Sequence, residues 1–120
     1  MDWDSIINLR HELHKIPEKS FCEKFTSDTI KNYIRKNTSW EIEELENNAF
    51  IVHCNPDNAP ANDAIAFRAD MDAVCAGGHN EPGHYCGHDG HSSILAGLAV
   101  SLYENRNRLD GNVYLVFQPA

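Results

Sequence analysis

Residues 64–118 begin with AIAFRA (64–69) and pass through the Gly-, His-, Asn- and Pro-rich stretch 75–90. They continue as HSSILAGLAVSLYEN (91–105) and close with NVYLVFQ (112–118). AIAFRA is short and mostly apolar, which predicts a strand of the kind buried inside a sheet. In 91–105, Ile94, Leu95, Leu98 and Leu102 share one side of a helix, and the interspersed Ala and Gly permit close packing. Asp110-Gly111 predicts a turn. NVYLVFQ is apolar on both faces, which predicts a central strand. Strand, long polar loop, helix, strand is the order of a βαβ unit. Such units build a helix-covered sheet, and the loops at the carboxyl ends of their strands carry ligands. The loop at 75–90 lies at such an end.

Upstream, Ile6, Leu9, Leu13 and Ile16 recur at helical spacing, which predicts an amphipathic helix over 3–16, capped by Asp2 or Asp4 and ended by Pro17. Ile30, Tyr33 and Ile34 predict a second helix over 23–36. WEIEELE (40–46) and AFIVHC (49–54) flank Asn47-Asn48, the pattern of a hairpin. NPDNAPAND (55–63) reads as a loop between strands. The chain has 120 residues, enough for one small domain. No run is apolar enough to span a bilayer. The start MDWDSIINLR lacks the basic-then-apolar order of a secretory signal. A formal charge of −8 argues against a nucleic-acid surface, which needs clustered Lys and Arg. Cys22, Cys54, Cys75 and Cys86 show no CxxC spacing, and the expectation is a cytoplasmic chain with reduced thiols.

Four histidines (His79, His84, His88, His91) crowd the 75–90 loop and its edge. Within it, Cys86 and His88 are separated by Gly87. Thiolate and imidazole are preferred ligands of zinc and similar divalent ions. Glycine reaches backbone angles closed to other residues, so both side chains can turn toward one centre. Asp89 is placed to orient an imidazole from behind. The competing reading is a polar loop with a free thiol and surface histidines, since two ligands do not close a site. Asp70 and Asp72 are two apart at the end of a predicted strand and point the same way in extended geometry. They suit metal support or proton transfer. Spacing alone favours the blander reading, loop-capping aspartates paired with Arg68. Arg10, His11, Glu12 and His14 are adequately explained as a solvated helix face. No GxGxxG, Walker A or GxSxG sequence is present.

Taken in order, R10-H-E-L-H14-x-x-P17-E18, E23-x-x-T26, R68-A-D-M-D-A73, H84-x-C-G-H-D-G-H91 and L109-x-G-x-V-x-L-x-F-Q-P-A120 resemble the metal-dependent amidohydrolases of the M20 peptidase type. That group includes N-acyl-amino-acid, hippurate and auxin-conjugate hydrolases. The resemblance implies an α/β fold, a three-layer α/β/α sandwich around a mixed sheet. It implies two divalent metal ions (Mn, Zn, Ni or Co), with Cys86 and His88 as metal ligands and Asp72 beside them in a catalytic role. It implies a small N-acyl amino acid or short peptide-like substrate whose amide bond is hydrolysed by an activated water, with a glutamate moving the proton. The family motif runs past Gln118-Pro119-Ala120 into two glutamates. The expectation is therefore a partial catalytic domain over 1–120, without the lid or dimerisation domain, inactive alone and prone to self-association into a homo-oligomer through open sheet edges. The alternative is a catalytically dead binding module that keeps the fold. The family also has Leu-Pro and a glutamate-containing stretch after the aspartates. Here the sequence is Val74-Cys75-Ala-Gly-Gly-His79, so the usual substrate-loop contacts do not carry over, and neither His79 nor Cys75 is assigned to the site.

Overall fold

The computed structural model describes residues 2–57, 59–60, 62–75 and 81–119. Two helices come first, α1 (Trp3–His14) and α2 (Lys24–Asn37). They are followed by strands β1 (Glu41–Glu44), β2 (Phe50–Cys54) and β3 (Ala64–Asp70), helix α3 (His88–Glu104) and strand β4 (Asn112–Gln118). The strands form one mixed sheet in the order β1-β2-β4-β3. β1 and β4 run antiparallel to β2, and β3 runs parallel to β4. The βαβ unit is thus β3-α3-β4, with β4 in the interior as its two apolar faces require.

One core joins the helices to a single face of the sheet. Leu9 and Leu13 of α1, Ile30 and Ile34 of α2, and Leu95, Ala96 and Ala99 of α3 bury against Phe50, Val52, Cys54, Leu115 and Phe117. Strand alternation explains the choice: residues 50, 52 and 54 of β2 are buried and residues 51 and 53 are half-buried. The described residues therefore supply a mixed sheet and one helical layer of an α/β fold. No helix among them is long and apolar enough to cross a membrane.

Local signals account for the helix ends. Asp2 caps α1 by accepting the Ser5 N–H at 3.1 Å. The first N–H groups of α2 are met from a distance. Glu18 Oε1 accepts from the Thr26 N–H (2.6 Å) and from Thr26 Oγ1 (2.7 Å), and Oε2 accepts from the Phe25 N–H (3.2 Å). This carboxylate also complements the positive end of the helix dipole. The E18 and T26 positions of the sequence pattern are therefore one structural device, which fixes the turn between α1 and α2.

Three expectations need correction. The hairpin forms, but Asn47 and Asn48 sit in a wider loop, both at positive φ (57° and 71°), closed by the Leu45 N–H on the Ala49 carbonyl. Helix α3 starts at His88, three residues early, because Gly87 adopts φ 84° and reverses the chain directly into the first turn. Among the described residues, strand β3 is not buried inside a sheet: it pairs there with β4 alone, its first five residues are exposed, and Ile65 and Phe67 are 59% and 46% exposed. Apolar composition reports what a strand could bury, whereas its actual burial depends on which elements flank it.

Cys54 lies fully inside this core, and burial pushes its thiol up to about 12. Alkylation requires thiolate and access, so Cys54 is expected to resist iodoacetamide in the folded protein and to react only in denaturant. Peptide mass analysis with and without urea checks this. Native-state labelling of Cys54 would show that the β2 face opens.

Candidate metal centre

The candidate site forms where β3 ends beside the first turn of α3. The parallel pairing of β3 with β4 carries on one residue past the strand, through the Met71 N–H on the Gln118 carbonyl at 2.8 Å. Met71 is fully buried and anchors the turn that follows. The Ala73 N–H then donates to the Glu18 carbonyl (2.7 Å), so the backbone on both sides of Asp72 is held.

Asp72 is itself almost fully buried. Its Oδ2 accepts from Ser20 Oγ at 2.9 Å. Its Oδ1 lies 2.8 Å from His88 Nδ1, and its main-chain carbonyl lies 3.0 Å from the same nitrogen. Both groups facing Nδ1 are acceptors, so Nδ1 carries the proton. The neutral imidazole then presents its lone pair at Nε2. Cys86 Sγ reaches the same Asp72 carbonyl at 3.7 Å. Gly87 between them, at φ 84°, has nothing within 4 Å of where a Cβ would stand, so the backbone angle and not crowding demands glycine there. Cys86, His88 and Asp72, singled out in the sequence, are thus neighbours in space.

The other sequence candidates separate. Asp70 Oδ1 accepts from Arg68 Nε (3.0 Å) and Nη2 (2.8 Å), as the capping reading has it, and its Oδ2 stands 4.0 Å from His88 Nε2. Asp70 pairs with arginine, and Asp72 turns to the imidazole. His91 is exposed, with its ring centroid 5.6 Å from that of His88. Cys75 is exposed on the same loop. His79 lies outside the described residues.

Sequence reading missed a second polar cluster. Asp89, whose side chain is 1% exposed, is bound through Oδ2 by Arg10 Nε (3.0 Å) and His14 Nδ1 (2.8 Å) of α1, while Oδ1 accepts the Gly90 N–H (2.9 Å). Arg10 and His14 therefore do more than line a solvated face. They span α1 to α3. Asp89 does orient an imidazole, as expected, but that of His14 instead of one from its own loop. The missed signal was the i, i+4 spacing of Arg10 and His14, which puts two donors on one helix face. Burial pushes the Asp89 carboxyl up. The His14 hydrogen bond, the Gly90 N–H and the nearby positive groups outweigh it and hold the acid below its usual range. His84 is buried next to this cluster, with its ring 6.2 Å from that of His14 and no hydrogen-bond partner for either nitrogen among the described residues. Burial is the largest influence on His84 and lowers its pKa, with the neighbouring imidazoles acting the same way and Asp89 and Asp72 opposing.

The donor chemistry suits a divalent ion. The Cys86 thiol and His88 Nδ1 share the Asp72 carbonyl, and the Asp72 carboxylate lies behind the imidazole and leaves Nε2 as the donor, an arrangement common around zinc. Among the described residues no group of three or more His, Cys, Asp or Glu is placed to hold a metal. A cavity of about 580 Å³, lined by Trp40, Asn55, Asp57, Arg106 and Leu109, opens at the opposite end of β3 and β4 and contains none of these donors.

Comparison with known proteins follows the same lines. The sequence model of peptidase family M20/M25/M40 matches residues 66–120, the span from β3 through the site to β4. Thermostable carboxypeptidase 1 of Saccharolobus solfataricus is 33% identical over 99% of this chain and 32% of its own length. The N-acetyl-L-cysteine deacetylase of Bacillus subtilis is 35% identical over 96% of this chain and 29% of its own length. Family model, relatives and solved structure all make the chain similar to the M20 peptidase family. The crystal structure of Bacillus subtilis YXEP, a dinuclear metal-binding M20 peptidase, superposes on 98% of this chain with a TM-score of 0.86 at 31% identity, covering 35% of that protein. The chain spans about a third of the length of the curated relatives it matches.

Proposed function

We propose that this chain provides part of the catalytic domain of an M20 amidohydrolase, with Cys86 and His88 as two ligands of a divalent metal centre and Asp72 as the acid that orients His88. The observation that carries this reading is the Asp72–His88 hydrogen bond on Nδ1, which leaves Nε2 as the coordinating nitrogen. Cys86 against the Asp72 carbonyl supplies the second donor. Manganese, zinc, nickel and cobalt all accept this pair. When bound, such an ion supplies Lewis acidity, bringing the pKa of water toward neutrality and polarising an amide carbonyl. This chain's residues fix the tautomer and direction of His88, hold Asp72 through Ser20 and present the thiol beside them. The third donor and the general base come from outside the described residues. The substrate class that fits is an N-acyl amino acid or a short peptide, in line with relatives named as a deacetylase and a carboxypeptidase. A reduced, cytoplasmic setting keeps Cys86 available as a ligand.

Asp72 variants test the observation directly. Asp72→Ala removes the acceptor on Nδ1 and is expected to weaken divalent metal binding by about 10- to 100-fold, the usual cost of losing a carboxylate behind a ligating histidine. Asp72→Asn keeps an oxygen for Nδ1 and should lose only about tenfold, near the lower limit. Titration with Zn²⁺ against a competing chelator reads both. Equal affinity in wild type and Asp72→Ala would remove Asp72 from the centre.

A further inference from the structure

Resting on that reading of the metal centre, we propose that Arg10 and His14 of α1 are positioning residues for it, holding Asp89 so that the first turn of α3 presents His88 and Cys86 at a fixed angle. His88 and Asp89 are consecutive, and consecutive residues on a helix project about 100° apart. His88 points to Asp72 at the end of β3, and Asp89 points to α1. The first turn of α3 is therefore tied on two sides. Ser92 Oγ adds a third tie, donating to the Asp70 carbonyl at 3.0 Å. A helix terminus held on one side alone can roll about its axis, and a roll of a few degrees swings a ring nitrogen by tenths of an ångström.

The seat of α1 does not itself depend on the polar clamp. Ile6, Leu9 and Leu13 bury against the core, and a Cβ at Gly97 of α3 would come within 2.6 Å of Ile6 Cδ1, so the two helices are in close apolar contact. The clamp lies two turns from that contact, beside the candidate ligands. Arg10 and His14 are each about half exposed, whereas the carboxylate they serve is sealed. Breaking the clamp therefore leaves α1 docked and loosens the direction of the α3 amino terminus.

The test is a Co²⁺ titration of the intact chain, read by the thiolate-to-cobalt charge-transfer band, which reports Cys86 directly. His14→Ala is expected to weaken Co²⁺ binding by about tenfold, in the range found for groups that support metal ligands. His14→Asn, whose amide nitrogen can stand in the place of Nδ1, is expected to recover most of the loss. Ile6→Val trims the apolar contact without touching the clamp and is expected to bind as the wild type does. Wild-type affinity in His14→Ala, alongside a band abolished by Cys86→Ser, would overturn the positioning role and leave the metal reading intact. An equal loss in Ile6→Val would overturn it too, by showing that any loosening of α1 suffices. A wild-type chain with no Cys86-dependent band would overturn the metal reading and this inference together.

Discussion

Cys86→Ser is expected to bring divalent metal bound by the protein to background, a loss of about 100-fold or more in affinity, while leaving the fold in place. The reasoning starts from charge. A metal-ligating cysteine acts as thiolate, and a serine hydroxyl at neutral pH offers neither the negative charge nor the soft donor. Of the two donors the described residues bring, the exchange removes one. Little else depends on the side chain. Cys86 is exposed, and its contact to the Asp72 carbonyl at 3.7 Å is a weak thiol hydrogen bond. Stability should therefore change by no more than about 0.5 kcal/mol, as for other surface substitutions. Cys86→Asp gives the contrast, since a carboxylate restores an anionic donor on a short side chain and should regain part of the affinity. Elemental analysis of the purified variants, with urea melts beside it, separates the outcomes. Unchanged metal content in Cys86→Ser would take the thiol out of the centre.

Where the sequence told the fold and where it did not follows from range. The helices and β4 were legible because each writes its burial in its own periodicity: Leu9 and Leu13 in α1, Ile30 and Ile34 in α2, Leu115 and Phe117 in β4. The parallel β3-α3-β4 unit was legible from element order. The pairing of β3 with β4 alone among the described residues was not, because AIAFRA is equally apolar with one neighbouring strand or two. Within the site, Cys86 and His88 stood out by residue type and by the glycine between them. The division of labour between Asp70 and Asp72 was hidden, since alternation treats the two alike while the buried Met71 turns the chain between them. The clamp on Asp89 was hidden for a different reason. His14 and Asp89 are 75 residues apart, and a charged helix face looks the same whether it meets water or a buried carboxylate. The demand that a buried charge be paired becomes visible only once Asp89 is known to be buried.

Phe117→Ala is expected to be the most damaging single change to the fold, costing about 3–5 kcal/mol by the usual penalty for truncating a buried aromatic to alanine. Phe117 is fully buried on the helix-facing side of β4 and stacks on Phe50, with centroids 4.5 Å apart and rings within 10° of parallel. The two are also register partners, since Phe50 pairs with Phe117 across β2 and β4. On its other side β4 pairs Phe117 with Ala69, whose small side chain leaves nothing to fill the gap. The cavity would therefore persist instead of collapsing, which places the cost toward the upper end of the range. Set against a typical domain stability of about 5–15 kcal/mol, this is enough to leave the chain marginal. The damage would also reach the site. Gln118, the next residue, accepts the Met71 N–H that aims the Asp72 turn, so fraying of β4 at Phe117 releases the backbone beneath Asp72. Phe117→Leu keeps most of the volume and should cost less than about 1.5 kcal/mol, as volume-conserving core exchanges do. Urea denaturation followed by far-ultraviolet circular dichroism measures the pair. A Phe117→Ala midpoint close to that of Phe117→Leu would mean that the helices close over the gap, and that the Phe50–Phe117 stack does not hold the sheet face together.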